Sequence, residues 1–194
     1  MVNFLNISLK KRRRKKDSSI PSEPIRKQKI ENILVEDFMR DFVFPFDNPE
    51  QLAQSILSGL AKHFEILQGI FLEVDETEEV NALRYLGGYA CAARNVEDYV
   101  FQLGEGLPGQ VAVDRKLLNL NSIPEGYLSV RTGLGEAKPN SLIIFPIQFG
   151  DKLWGVIELA SFHSFREEDE TFFIHLSNEI GGHLEKLDLN FQDQ

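Results

Sequence analysis

Two apolar, β-branched runs, Leu142 to Gln148 and Leu153 to Ala160, are separated only by Phe149-Gly150-Asp151-Lys152, and this spacing constrains the fold more than any other feature of the chain. Parallel neighbours need a crossover of a dozen or more residues, so these strands pair antiparallel through a hairpin. The arrangement recurs upstream. Ile66 to Val74 reads as a strand, the acidic Asp75-Glu76-Thr77-Glu78-Glu79 stretch as a hairpin loop, and Val80 to Cys91 as the partner strand, with Gly87-Gly88 marking a bulge or close approach. Asp98 to Leu103 is a further short strand; a brief helix over Gly109 to Asp114 separates it from an extended Leu117 to Leu120. Asn121 to Asn140, punctuated by Pro124, Gly126, Gly133, Gly135 and Pro139, reads as a long irregular connection, a kind usually functional or mobile. Hairpin-joined strands exclude a doubly wound parallel sheet and predict an antiparallel one with helices on its faces, an α+β fold.

Three helices frame these strands. From Ile25 to about Met39, Ile30, Ile33, Leu34 and Phe38 recur at steps of three and four, predicting a linker helix outside the core domain, which Phe42-Val43-Phe44-Pro45-Phe46 breaks. Asp47 or Asn48 caps the next helix with Pro49 in its first turn, and Leu52, Ile56, Leu57, Leu60 and Phe64 form its apolar stripe. Ser164 with Glu167 reads as a capping box opening a closing helix with the stripe Phe173, Leu176, Ile180, Leu184, Leu187 and Phe191. Phe173, Ile180 and Leu187 repeat at seven, as in a short coiled-coil seam; packing on the sheet must claim part of this stripe, and the rest is expected to join two copies in a four-helix bundle through Ile33, Phe38, Ile180, Leu184 and Leu187. The chain divides into a basic flexible segment over 1–24, a linker helix within 25–47, a core domain over 48–188 and a tail over 189–194.

Charge is segregated. Ten Lys or Arg against Asp17 and Glu23 give the first 30 residues +8, so the net charge of −9 leaves −17 on the rest. An acidic body repels nucleic acid and anionic lipid, so no nucleic-acid partner is expected and any anionic contact falls to Lys10 to Lys16. That block is read either as a solvated tether or, with Val2, Phe4, Leu5, Ile7 and Leu9 before it, as an arm docking on a membrane surface or a partner. No apolar run approaches the roughly 18 residues of a bilayer span and no secretory signal opens the sequence, so a cytoplasmic location is expected. Cys91 is the one cysteine, which rules out an internal disulfide and a cysteine-based zinc site; between Ala90 and Ala92 on a strand, it reads as a small buried hydrophobe.

Gly104-x-Gly106-x-x-Gly109 matches a dinucleotide fingerprint in letters but not in context. A nucleotide turn needs a full crossover helix and a following parallel strand, and only about six helical residues precede Leu117. The same residues, Leu103-Gly-Glu-Gly-Leu-Pro-Gly-Gln-Val-Ala112, resemble the glycine loop of GAF domains. Leu153-Trp-Gly-Val-Ile-Glu-Leu-Ala160 resembles their penultimate strand, Phe165-Arg-Glu-Glu-Asp169 the start of their closing helix, and Ile144-Phe-Pro-Ile147 their central strand. Tyr127 to Pro139 is similar to GAF sensors of bacterial chemoreceptors and histidine kinases. The order and spacing agree from about Pro49 to Leu187.

The resemblance implies a central antiparallel sheet of five or six strands, terminal helices packed on one face, and loops roofing a small-molecule pocket on the other. It places the pocket walls at Ala90 to Gln102 and Asn121 to Asn140. Arg94, Arg131 and Lys138 are then positioned to meet an anion, Tyr127 and Ser129 to donate hydrogen bonds, with Gln102, Gly106 and Glu136 completing the candidate site. Gly104, Gly106 and Gly109 would let backbone approach the ligand closely. Equally, these residues could surround a filled or vestigial pocket. Departures from known branches exclude ligands: the Asn-Lys pair of cyclic-nucleotide binders is missing, methionine sulfoxide reductases of this fold need several cysteines, and no haem, bilin or metal is expected. His63, His175 and His183 fall on terminal helices and His163 at a strand-helix junction, away from the pocket. No catalytic set emerges, since Ser161 and His163 lack an oriented base and an oxyanion site. The expectation is a non-enzymatic sensory domain that binds an unidentified small molecule and signals through its terminal helices, as a homodimer, to a partner protein in trans. The alternative is a ligand-free GAF scaffold docking through its basic N-terminus.

Overall fold

The computed structural model describes residues 33–46, 48–75, 82–91, 99–123, 126–132 and 135–192. The basic segment, the first part of the linker helix, Asp47, Glu76 to Glu79 and Arg94 lie outside the described residues. Among the described residues, four helices and eight strands follow in the order α1 (Val35–Phe42), α2 (Pro49–Phe64), β1 (Ile66–Asp75), β2 (Ala82–Tyr89), β3 (Val100–Gln102), α3 (Gly106–Asp114), β4 (Leu118–Leu120), β5 (Val130–Thr132), β6 (Gly135–Ala137), β7 (Ser141–Phe149), β8 (Lys152–Ser161) and α4 (Glu167–Gln192). Six strands form one sheet in the order β3-β2-β1-β8-β7-β4, and each neighbouring pair is antiparallel. This is the α+β arrangement expected from the two hairpins. Among the described residues no helix is long and apolar enough to cross a membrane.

The period of two along each strand distributes apolar side chains to two cores. Phe71, Ile143, Phe145, Ile147, Ile157 and Leu159 face α1, α2 and α4, whose Phe38, Ile56, Leu57, Phe64, Phe173, Leu176 and Ile180 complete the larger cluster. Ile70, Leu72, Leu83, Leu142, Ile144, Val156 and Ala160 face the other way, against Val111 and Ala112 of α3. Phe173 anchors the first core, its ring centroid 4.8 Å from Phe64 and 5.0 Å from Phe145. The second core has one helix over part of its area, which leaves room beneath the loops.

Local chemistry explains the ends of the elements. Asn48 caps α2 by accepting from the Gln51 N–H, with Pro49 in the first turn. The β1–β2 register shifts between Phe71 and Leu72, so β2 carries a bulge at Leu86, next to the Gly87 pointed out by the sequence. A Cβ on Gly109 would meet the Gln102 carbonyl oxygen, and Gly104 and Gly106 have φ of 86° and 61°. These glycines therefore serve the turn from β3 into α3 and its close packing.

The structure differs from the sequence expectations at four places. α1 is packed into the larger core, with Phe38 and Met39 buried, because α2 and α4 leave a cleft that its apolar stripe fills. α3 begins at Gly106, three residues earlier than read. The long connection contains a two-stranded hairpin, β5–β6, whose strands of three residues are too short for a period to show. At α4 the buried Asp169 reaches back and accepts from the Arg166 N–H at 2.8 Å, a carboxylate contact that the sequence reading did not name.

Candidate ligand site

On the α3 side of β8, Val156, Glu158 and Ala160 alternate inward, and Glu158 lies in register between Ile70 of β1 and Ile144 of β7. It is a carboxyl group in the middle of a sheet, flanked by apolar side chains. Beside it is a cavity of about 60 Å³. β1 supplies Gln68, Gly69 and Ile70 to its wall, β8 Glu158 and Ala160, the residue pair flanking β2 and β3 Cys91 and Tyr99, and the loop before β5 Leu128. Tyr127 closes on the carboxyl from that loop, its hydroxyl donating to Glu158 Oε2 at 3.3 Å. Cys91 Sγ lies 3.2 Å from the Tyr99 hydroxyl, and the Tyr99 ring sits 5.8 Å from that of Tyr85.

Burial in this apolar setting pushes the Glu158 carboxyl up to about 7, against the opposing effect of the Tyr127 hydrogen bond. Burial, and then the adjacent Glu158, raise the Tyr127 phenol well above its ordinary value. A carboxyl that titrates near neutrality inside a concave site marks a candidate for function. Two larger grooves, of about 430 Å³ between α1 and α4 and about 290 Å³ beside β7, lie on the helix side. Among the described residues no group of three His, Cys, Asp or Glu could hold a metal ion.

Of the residues named from the sequence, Tyr127 meets Glu158, while Leu128 between Tyr127 and Ser129 reaches the cavity. Ser129, Gln102, Gly106, Glu136 and Lys138 are exposed and do not line it. Gln102 instead donates its N–H to the Glu105 carboxylate at 3.0 Å. The Arg131 backbone pairs with Glu136 across β5–β6. Ile180 and Phe38 are used up in the chain's own core, whereas Ile33, Leu184 and Leu187 remain partly exposed. The histidines stand on the helices and at the β8–α4 junction, outside the cavity lining.

Sequence reasoning missed Glu158 and Gln68 as lining residues; Tyr99 and Cys91 fall within the wall segment Ala90 to Gln102, although Cys91 itself was read as a buried strand residue. Cys91 follows the end of β2, past Ala90 at φ 50°, and is half-exposed toward the cavity rather than buried in a strand. The signal for Glu158 was available: a lone carboxyl at an inward position of an otherwise apolar strand.

Comparison with known proteins agrees with the fold. The GAF domain of a phosphoenolpyruvate-protein phosphotransferase (ptsP) from Coxiella burnetii superposes with a TM-score of 0.68 at 17% identity, covering 87% of this chain and 99% of that one. The free methionine-R-sulfoxide reductase from Neisseria meningitidis, in complex with its substrate, gives 0.61 at 16% identity, covering 85% and 91%. Residues 122 to 287 of a methyl-accepting chemotaxis protein give 0.57 at 15% identity, covering 80% and 96%. A search of curated proteins found no significant match. At such identities the structural likeness shows the fold alone, but the GAF domain family model matches residues 47–185, from the cap of α2 into α4. With its motifs, topology and that match in agreement, the chain belongs to the GAF domain family.

Proposed function

We propose that this GAF domain is a non-enzymatic regulatory module that binds a small molecule in the Glu158 cavity and reports occupancy to a partner protein through α1 and α4. The observation that carries this reading is the double use of two strands. β8 turns Glu158 and Ala160 toward the cavity and Ile157 and Leu159 toward the helices, and β1 likewise divides Ile70 from Phe71. A ligand that shifts either strand must repack the helix face, because well-packed interiors move between discrete arrangements. Homodimerisation through the exposed parts of α1 and α4 belongs to the same proposal. The non-enzymatic part is supported by the engagement of the nearest hydroxyl-imidazole pair. Ser161 Oγ donates to the Glu65 carbonyl at 3.3 Å and accepts from the His163 N–H at 3.0 Å, while the His163 ring faces the Glu65 carboxylate.

Native mass spectrometry of the freshly purified full chain, compared with denatured protein, tests the reading. A retained small mass lost on denaturation is the expected result. A bare polypeptide mass, together with no thermal shift in a screen of nucleotides, nitrate, organic acids and amines, would instead leave a ligand-free scaffold, a reading favoured by the small volume of the cavity.

A further inference from the structure

The walls of the cavity say what charge it suits. Among the described residues lining it, Glu158 is the only one with a formally charged side chain; the remaining polar groups are the Gln68 amide, the Tyr99 hydroxyl and the Cys91 thiol. Ile70, Leu128 and Ala160 make up most of the rest. Arg115, Lys116 and Lys152 are on the helix side or at its edge, and Lys138 is exposed outside the lining. Arg94 lies outside the described residues, and among the described residues that line the cavity there is no Lys or Arg.

A carboxyl in such a place is costly to the fold unless a partner offsets its lost hydration. Among the described residues its hydrogen-bond partner is the Tyr127 hydroxyl, a neutral donor at 3.3 Å. Tyr99, whose ring carries a negative quadrupole on its faces, is among the residues of that wall. Resting on the reading of this cavity as a ligand site, we infer that it takes a small primary amine as its ammonium ion, with Glu158 as counter-ion and the Tyr99 ring and hydroxyl beside it. Three donors on an ammonium match acceptors at Glu158, the Gln68 amide oxygen and the Tyr99 hydroxyl. A volume of about 60 Å³ holds a head group of a few heavy atoms, a methyl- or ethylammonium or the amine end of a longer molecule. Uncharged amides and carboxylates of equal size are disfavoured, since they leave the carboxylate without a counter-charge or place a second one against it.

The groups facing Glu158 set its pH response: Gln68 from β1, Cys91 and Tyr99 from the residues flanking β2 and β3, and Tyr127 from the loop before β5. Of these, Glu158 is the one held near neutrality. Methylammonium binding should therefore tighten about tenfold between roughly pH 6 and roughly pH 8, as the carboxyl ionises while the amine stays charged. An anion bound to the protonated acid would do the opposite.

Calorimetric titration of the full chain with methylammonium, ethylammonium, acetamide and acetate at both pH values decides the matter, with amide chemical shifts of Gly69, Ile70 and Cys91 reporting the location. The proposal expects saturable binding of the two ammonium ions alone, tighter at the higher pH, moving those amides and abolished in Glu158→Gln. Binding of acetate or acetamide without either ammonium ion overturns the charge class while leaving the cavity a ligand site. Failure of all four probes overturns the amine proposal, and the mass measurement above then separately judges whether any small ligand is bound. Because pH dependence and probe selectivity are read on the wild-type chain, the test stands even if the variant folds poorly.

Discussion

Glu158 stands where the alternation of β8 calls for a hydrophobe, and its effect on stability has a definite sign. In the unfolded chain a glutamate ionises near about 4.3, while in the fold burial holds this one at about 7. Between those values the native chain keeps a proton that the unfolded chain has lost, so stability falls as pH rises through that window and levels off above it. Glu158→Gln removes this loss. Urea unfolding at about pH 8 should find the variant more stable than wild type by about 1–2 kcal/mol, with the two nearly equal at about pH 4.5. An identical pH dependence in both proteins would show that the carboxyl is solvated. The sequence makes the inward position of Glu158 legible through period-two patterning, but its partner Tyr127 is 31 residues away and only the folded loop brings it over the strand. Cys91 illustrates the reverse: its neighbours Ala90 and Ala92 suggested a buried strand, yet β2 ends at Tyr89, two residues earlier, where Ala90 turns the chain at φ 50°.

The helices were legible as amphipathic elements and illegible as partners. A stripe at steps of three and four says that a helix buries one side, not against what. α1 shows this: Phe38 lies 4.9 Å from the Phe42 ring and 6.1 Å from Phe172 of α4, so it belongs to the core of the domain. Phe38→Ala should cost about 3–5 kcal/mol in chemical denaturation, where a solvated linker would lose almost nothing. For dimerisation the test must spare the core. Ile180 is fully buried, so charging it would unfold the chain, but Leu184 and Leu187 are partly exposed. Light scattering should give twice the chain mass for wild type and the single-chain mass for Leu184→Glu with Leu187→Glu, with unchanged circular dichroism. A monomeric wild type would end the proposal of a homodimer. In the connection after β4, strands of three residues carry too few alternations to be seen, so β5–β6 emerges from backbone pairing alone.

Across the whole molecule the dominant feature is electrostatic. A lead of +8 precedes a body of −17, and the two should respond differently to an anionic surface. Sedimentation with phosphatidylserine-containing vesicles should retain the full chain at low salt, release it at high salt and fail to retain a chain lacking residues 1 to 16. Equal sedimentation of the two chains would reduce the lead to a tether. By itself the sequence determined the antiparallel sheet, because four intervening residues cannot make a crossover, and the second helix, because its cap, proline and stripe are local signals. It likewise determined the family, through motifs whose order and spacing survive in one dimension. Tertiary structure alone decided that α1 joins the core, that the glycine loop serves a turn, and that Glu158 and Gln68 share one cavity with Tyr99 and Cys91. Desolvation and side-chain proximity depend on segments distant in the chain, and no local pattern records which of them will meet.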